Sequence, residues 1–361
     1  MKINFLHITF FVAIIIFGFS FSKKKFSDPN KEKLLIEVVK YVVEKGHYNS
    51  IEIDDVISEK IFDSYIEQLD TQKRFFLQSD IRQFEKYKYK LDDQLKDHDL
   101  TFFDLVFQIS KERIEEVKDY YHDIIKNGFD FSSNENINLD FENKSFARSK
   151  NEIKNRWRKQ LKYSTLDILT IKLGDSIKII DDKTLDESMS LIKKNTEDFF
   201  DYISEMDRDD WFANYINAFL NQLDPHTVYF NPDDKDRFDT NISGKFNGIG
   251  ARLQKTEGAV KIVDIIVGGP IWKDKLLDVG DIILKVAQEN KDPVDIIGMK
   301  LDDAIKLIKG PADSVVKLTV RKIDGEINDV SIKRGLVELE ELYAKSTLIN
   351  KNDKNYGYIS L

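Results

Sequence analysis

The chain contains no cysteine among its 361 residues, and it has only five histidines. Without thiols it can form no disulfide, no thiolate metal site, no cysteine nucleophile and no acylated lipoprotein cysteine. No two of the histidines have the spacing of a metal-ligand pair: His7, His47, His98, His122 and His226. We therefore expect no metal and no other cofactor. His226, in a Leu-Asp-Pro-His-Thr segment, is expected to be a loop imidazole that bonds nearby backbone.

Several catalytic and nucleotide-binding motifs are missing as well. The sequence has no H-E-x-x-H and no G-x-S-x-G. Gly248-Ile249-Gly250 opens like a dinucleotide fingerprint, but Leu253 occupies the third glycine position and no helix pattern follows. Ser243 and Lys245 do not predict a catalytic pair, because a lysine acts as a base only when burial removes its charge and this loop is polar.

Charge of a single sign is also lacking, with 55 basic against 64 acidic residues and a net charge of −9. This mixture argues against a dedicated nucleic-acid binder. Trp157 lies among Arg156, Arg158, Lys159 and Lys162, and we predict a helix with one buried aromatic and a solvated basic face. With 41% hydrophobic residues over this length, two or three folded domains are expected.

The first 22 residues are predicted to be an export signal. Lys2 supplies a positive start, residues 5–21 are nearly all apolar, and Ser20 and Ser22 are small enough to precede a cleavage site. An uncleaved inner-membrane anchor is the alternative, since the run is close to the minimum length that spans a bilayer. In both cases we expect a periplasmic body.

Apolar periodicity predicts helices from residue 28 to about residue 225. In the first helix Leu35, Val38, Val39, Val42 and Val43 form one stripe, and in the second Ile57, Ile61, Tyr65 and Leu69 share a face. Further helices are predicted at 79–96, 101–126, 144–173, 184–204 and 208–222. Residues 127–143, rich in Asn, Ser and Asp, are predicted to form an exposed loop.

After Pro225 the pattern changes to short strands. Strands are predicted at 250–254, 260–267, 282–286, 315–322 and 328–333, with one helix at 301–309. The glycine pair of Phe246-Asn-Gly-Ile-Gly-Ala-Arg-Leu253 stands directly before the first of them. Such a turn can hold a carboxylate in a nest of backbone N–H groups, while the following strand edge pairs with an extended peptide.

This segment resembles a PDZ module of the C-terminal processing, or tail-specific, serine proteases. The resemblance extends to Gly268-Gly-Pro270, Val279-Gly-Asp-Ile-Ile283 and Leu301-Asp-Asp-Ala-Ile-Lys-Leu-Ile308. Upstream, residues 58–63, 74–81, 156–162 and 223–230 look like other motifs of the family, in the right order.

The resemblance implies an α+β multidomain chain. Four segments are expected in order: a signal peptide or anchor (1–22), an all-α N-terminal helical domain (23–240), a small β-rich PDZ domain (241–335) and the first strand of an incomplete serine protease domain (336–361). In the family a serine activated by a lysine cuts substrates. Neither residue has a counterpart here, so none is assigned, and we expect this chain to bind without cutting.

The predicted peptide site consists of Gly248, Ile249, Gly250, Ala251, Arg252 and Leu253, with Leu301 and Ile305 lining the pocket for the last residue. One of the two glycines is expected to have positive φ. The expected partners are apolar, unfolded C-terminal tails, with an adaptor lipoprotein or a second copy as a further partner and no nucleic acid. The alternatives are a non-catalytic periplasmic PDZ scaffold or an anchored structural protein. Reading the gene beyond codon 361 would discriminate among them.

Overall fold

Two compact units make up the described part of the chain, the first ending at Tyr229 and the second beginning at Phe230. The computed structural model describes residues 29–48, 52–173, 181–256, 258–289, 291–339, 345–352 and 354–360. The predicted signal segment, residues 1–22, lies outside the described residues. No helix in the ranges just given is both long and apolar enough to cross a membrane.

The first unit is built from helices. They are α1 Pro29–Gly46, α2 Asp55–Leu69, α3 Gln78–Phe84, α4 Leu91–Asp97, α5 Thr101–Asn127, α6 Lys150–Leu173, α7 Asp182–Glu205 and α8 Arg208–Leu220. Acidic N-caps define several starts: the Asp54 carboxylate accepts from the N–H of Val56 and of Ile57, and Asp207 forms a capping box with Asp210.

The helix predicted at 79–96 is two helices, α3 and α4, joined by a 3₁₀ turn at Glu85–Tyr87. A side chain from α2 holds the break. The hydroxyl of Ser58 donates to the Lys88 carbonyl at 2.8 Å and accepts from the Leu91 N–H at 2.7 Å. Periodicity could not reveal this interruption, because its cause is a residue 30 positions earlier in the chain.

Aromatic side chains dominate the two cores of the helical unit. In one, Tyr65 meets Tyr215 edge-on with 5.3 Å between ring centroids, and Phe103 meets Phe212 at 5.5 Å. In the other, Trp157 stacks on Phe200 at 5.6 Å. Such pairs add to the stabilisation from buried area.

The predicted stripe of α1 is partly wrong. Val43 is buried and Leu35 and Val39 pack partly against the core, but Val38 and Val42 are about half exposed. The rotation of the helix is set by Glu32, which is 1% exposed because Arg208 donates to both of its carboxylate oxygens, at 2.8 and 2.7 Å. The ion pair of Glu32 with Arg208 therefore determines which apolar residues of α1 face the core.

The prediction for Trp157 is confirmed for the aromatic and corrected for the basic face. Trp157 is buried and its indole N–H donates to the Arg74 carbonyl at 2.9 Å. Arg156 and Lys162 are not solvated, however: Arg156 donates to two loop carbonyls and Lys162 is buried beside Glu135. Both cations bind groups of the loop that precedes α6: Arg156 the Ser145 carbonyl and Lys162 the Glu135 carboxylate.

The second unit is β-rich, as predicted. Its elements are α9 Pro232–Ser243, β1 Lys245–Gly248, β2 Ala251–Thr256, β3 Ala259–Ile265, α10 Pro270–Asp274, β4 Ile282–Gln288, β5 Val294–Asp295, α11 Leu301–Ile308, β6 Val315–Arg321, β7 Ile327–Lys333, β8 Gly335–Glu338, β9 Lys345–Lys351 and β10 Lys354–Ser360. The prediction of an all-α region followed by a small β-rich module is confirmed.

One antiparallel sheet forms the centre of this unit, in the order β2-β3-β4-β6-β7, with β5 paired to β4. Its core contains Val260, Ile283, Val316 and Leu318, all fully buried. Strand β1 pairs with β8, with Gly248 opposite Gly335, and β10 pairs with β9. In the segment 336–361, where the sequence indicated only the first strand of a further domain, β10 therefore has a partner in β9.

Candidate peptide-binding groove

A cavity of about 510 Å³ lies in the second unit between strand β2 and helix α11. This volume falls within the range of ligand pockets. Seven of the eight predicted site residues line it: the six from Gly248 to Leu253, together with Ile305. Leu301 is not among the lining residues, because it packs against the hydrophobic core at the start of α11.

The glycine loop is fixed by its contacts with the turn that follows β3. The carbonyl of Ile249 accepts from the Ile271 N–H at 3.0 Å, and that of Gly250 accepts from the Ile266 N–H at 2.9 Å. Gly250 has φ +85°, as predicted for one glycine of the pair, and a Cβ there would meet the Gly269 Cα at 3.0 Å. Only glycine fits both conditions.

The N–H groups of this loop are available to a ligand. Outside the helices and strands of the described residues, neither the Ile249 N–H nor the Gly250 N–H is a donor in any backbone hydrogen bond, although both residues are buried. Buried amides almost always have an acceptor. Ile249 and Gly250 line the cavity, and two adjacent N–H groups without acceptors are suited to bind a carboxylate.

Strand β2 presents a free edge to the cavity. In the sheet of the described residues β2 pairs with β3 alone, so its second edge can accept another strand. Exposure alternates along β2, with Ala251 and Leu253 half-buried and Arg252 exposed. Arg252 faces Asp264 of β3, with 3.5 Å between Nε and Oδ2. A peptide lying between β2 and α11 could therefore use main-chain hydrogen bonds for affinity.

The sequence did not identify Phe246, Ile308 and Lys309, which also line the cavity. Ile308 follows Ile305 by one helical turn, so the period of α11 could have identified it. The Lys309 ammonium lies 4.8 Å from the centroid of the Phe246 ring, and burial lowers the pKa of this lysine. No sequence signal distinguishes Lys309 from the 54 other basic residues.

The serine and lysine side chains of the described residues form no pair suited to catalysis. The Lys245 ammonium binds Glu338 at 2.7 Å, and Ser243 bonds only the backbone of Lys245. The Lys162 ammonium donates to the Ser133 hydroxyl at 3.0 Å, but it also forms an ion pair with Glu135 at 2.9 Å. A lysine with a carboxylate partner lacks the environment that turns a lysine into a base for serine.

No side chain of the described residues is arranged around His226 as a catalytic partner. The His226 side chain is 92% exposed, and its ring Nδ1 lies 3.7 Å from an Asp224 oxygen to which the His226 backbone N–H donates at 2.7 Å. Within the described residues the ring makes no hydrogen bond to backbone, so the expectation that it bonds nearby backbone is wrong. His47 is the histidine that bonds this carboxylate, at 2.8 Å, and hydrogen bonds from Thr227, the His226 backbone and His47 hold the pKa of Asp224 well below its usual range. No group of three metal-ligating side chains occurs in the described ranges.

The edge strand, the glycine loop and the helix beside it define a PDZ-type peptide-binding module, and residues 240–321 match the PDZ domain family. Residues 38–233 match the family described as the tail specific protease N-terminal domain. That match covers more than half of the chain, so the chain belongs to the tail-specific protease family.

Individual relatives agree with this assignment. The chain is 30% identical over 319 residues to a tail-specific protease of Haemophilus influenzae, covering 88% of this chain and 44% of that protein. It is 30% identical over 162 residues to the carboxy-terminal processing protease CtpA of Bacillus subtilis, covering 45% and 32%. The chain thus spans less than half the length of these curated relatives.

Two solved structures are also similar to parts of the chain. The PDZ domain of a Vibrio cholerae carboxy-terminal protease, solved with a peptide, is 42% identical over 26% of this chain and 99% of its own, with a TM-score of 0.26. The photosystem II D1 C-terminal processing protease is 21% identical over 45% of this chain and 40% of its own, with a TM-score of 0.27.

Proposed function

We propose that this chain recognises the free C-termini of substrate proteins for an exported serine endopeptidase of the C-terminal processing type. The observation that carries the proposal is the pair of buried, unused N–H groups at Ile249 and Gly250, located where the free edge of β2 begins. A peptide added along that edge places its terminal carboxylate at the loop and its last side chain toward Ile305 and Ile308.

The hydrolytic step is proposed from the family. A serine activated by a lysine would cut the captured chain, and residues outside these 361 would supply that pair. This agrees with the ion pairs of Lys162 and Lys245 with glutamates and with the greater length of the relatives. Export to the periplasm is proposed from the apolar segment 5–21. The domain boundaries, and an adaptor lipoprotein or second copy as partner, stay predictions.

A free carboxylate should be required for tight binding. We expect a ten-residue peptide ending in leucine to bind residues 23–361 with Kd on the order of 1–10 µM. Its C-terminally amidated twin should bind at least about tenfold more weakly, because charge-assisted hydrogen bonds to the loop are lost. Fluorescence anisotropy with both peptides, labelled at the N-terminus, measures this. Equal affinities would exclude the loop as a carboxylate site.

The Lys309 ammonium should attract the peptide carboxylate by its charge, in addition to the hydrogen bonds from the neutral backbone N–H groups. Replacing Lys309 by methionine is expected to weaken binding of the free-acid peptide about fivefold, since an ammonium in a partly desolvated pocket attracts a carboxylate. The amidated peptide should be unaffected. Because burial lowers the pKa of Lys309, its charge is lost at a lower pH than that of an ordinary lysine. Free-acid binding should therefore weaken toward pH 10 in the wild type more than in Lys309→Met.

The matched control is Lys306→Met on the same helix, because the Lys306 ammonium is already paired with Asp233 at 2.7 Å and does not line the cavity. Raising the salt concentration should reduce the difference between the wild type and Lys309→Met, since ions screen the attraction. An identical loss of affinity in both variants would show that total charge, and not the position of Lys309, is responsible.

A further inference from the structure

A second cavity, of about 320 Å³, lies in the helical unit between the loop 136–144 and helix α6. Its lining combines cations with side-chain amides: Arg74, Lys144, Arg156 and Lys159, together with Gln72, Asn136, Asn138, Asn155 and Gln160. The proposed peptide function does not use any of these residues. Two of the cations, Arg156 and Lys159, belong to the face of the Trp157 helix that the sequence assigned to solvent.

Arg74 is the central group of this cavity. Its guanidinium lies 4.3 Å from the centroid of the Trp157 ring and 5.1 Å from that of Phe199, so one side of the plane rests on aromatic rings. The guanidinium makes no hydrogen bond or ion pair with any described residue. Burial lowers its pKa to about 10, only partly opposed by the charge of Asp70. An arginine held this way can offer its N–H edge to a ligand.

The carboxylates nearby make no direct ion pair with the Arg74 guanidinium, although the charge of Asp70 attracts it. The Asp70 oxygens accept three backbone N–H groups, from Arg74, Phe75 and Phe76, at 2.8 to 2.9 Å. The carboxylate of Glu152 in the lining is bound by Arg156 at 2.6 Å and by the Arg148 N–H at 2.9 Å. Neither carboxylate is therefore bonded to the Arg74 guanidinium.

Two lysines add further positive charge. The Lys144 ammonium lies 5.1 Å from the centroid of the Phe141 ring and forms no direct ion pair with a carboxylate of the described residues. Burial and the charge of Arg156 lower its pKa, partly opposed by the charges of Asp70 and Glu152. The Lys159 ammonium, which also lines the cavity, donates to the Asn136 carbonyl at 2.9 Å. Partly desolvated cations without a directly bonded carboxylate are costly, and an anion in contact with them would offset that cost.

The rest of the lining describes the ligand. Ile137 and Phe141 supply apolar surface, and the volume is much larger than one inorganic ion needs, so a carbon skeleton fits. The amide oxygen of Gln72 is buried and has no donor within the described part of the chain. A ligand with an O–H or N–H beside its acid group would satisfy that oxygen.

We propose that this cavity binds a compact organic acid, with a carboxylate on Arg74 and Lys144 and a neighbouring hydroxyl or N–H group donating to Gln72. The site is separate from the peptide groove and does not depend on its function. Citrate is a suitable probe because it carries three carboxylates and one hydroxyl. Tricarballylate, which differs only by lacking that hydroxyl, is its matched control.

Isothermal titration calorimetry of residues 23–361 with citrate, tricarballylate and inorganic phosphate tests the proposal. Citrate should bind with Kd of about 0.1–1 mM. Tricarballylate should bind severalfold more weakly, and phosphate weakest. No heat of binding at high citrate concentration, or binding of phosphate but not of citrate, would overturn the assignment. Equal binding of citrate and tricarballylate would remove the role of Gln72.

Variants locate the site. Arg74→Met should weaken citrate binding at least about tenfold, and Lys144→Met, at the rim and away from the aromatic core, should weaken it about fivefold. The control is Lys154→Met on helix α6, which removes one positive charge outside the cavity. The Lys154 ammonium pairs with Asp123 at 3.4 Å, and this substitution should leave Kd within twofold. If Lys154→Met and Lys144→Met lose affinity equally, binding reflects general surface charge and the proposal fails.

Discussion

Replacing Gly250 by alanine is expected to reduce the affinity for a free-acid peptide by about 30-fold or more. The residue has φ +85°, and a Cβ would come within 3.0 Å of the Gly269 Cα and 3.3 Å of the Pro270 Cδ. Because these atoms belong to backbone and a rigid ring, the loop itself has to move. Its N–H groups then lose the carboxylate, and charge-assisted hydrogen bonds contribute about 1.5–3 kcal/mol each.

Gly325→Ala is the matched control for this loss. Gly325, in the turn between β6 and β7, has φ +93°, and no heavy atom lies within 4 Å of a Cβ placed there. Both substitutions carry the left-handed backbone cost of about 1–2 kcal/mol. Only Gly250→Ala displaces the loop, so only it should lose peptide binding in anisotropy titrations. Binding of Gly250→Ala within twofold of the wild type would disprove the assignment of the nest.

Replacing Arg334 by methionine should destabilise the PDZ domain by about 3 kcal/mol or more, because several buried polar groups lose their partner at once. Arg334 is 2% exposed and donates to the carbonyls of Ile308 and Leu307 at 2.8 and 3.0 Å. It also donates to Gln288 at 2.7 Å and to Ser314 at 2.9 Å. These bonds hold the C-terminal end of α11, where Ile308 and Lys309 line the groove.

Hydrogen exchange followed by mass spectrometry measures this effect one segment at a time. Amides of β4 and β6 should exchange faster in Arg334→Met, while α2 and α5 of the helical unit should exchange at the wild-type rate. Arg321→Met, at the exposed end of β6, should change neither. Wild-type protection of β4 and β6 in Arg334→Met would mean that the carbonyls of α11 find other donors.

Local sequence patterns predicted the part of the groove whose residues follow one another in the chain. The glycine pair followed by an alternating strand indicated a carboxylate loop and a peptide-pairing edge, and the structure places Gly248 to Leu253 and Ile305 around one cavity. Leu301 and Ile305 were assigned to the same pocket, yet only Ile305 lines it. The apolar pattern of a short helix does not say which of its two partly buried faces meets the core.

The predicted helices failed in the same way where a distant polar residue decided the outcome. Ser58 interrupts the helix predicted at 79–96, and the pair of Glu32 and Arg208 sets the rotation of α1. Helix α9 was missed, although Asn231 and Pro232 are a cap and a first-turn proline. In each case the prediction rested on apolar periodicity, whereas a polar residue determined where the helix begins, where it breaks or which face meets the core.

The sequence by itself determined the order of helical and β-rich segments, the family, and the loop whose positive φ requires glycine, because these depend on residues close together in the chain. Only the tertiary structure decided which cations make no direct ion pair. Lys309 comes to lie beside Gly248 because α11 packs along β2, and the Arg74 guanidinium has no carboxylate bonded to it because the oxygens of Asp70 and Glu152 bind other donors. Charge compensation depends on distances in space between residues far apart in the chain, and no periodicity encodes those distances.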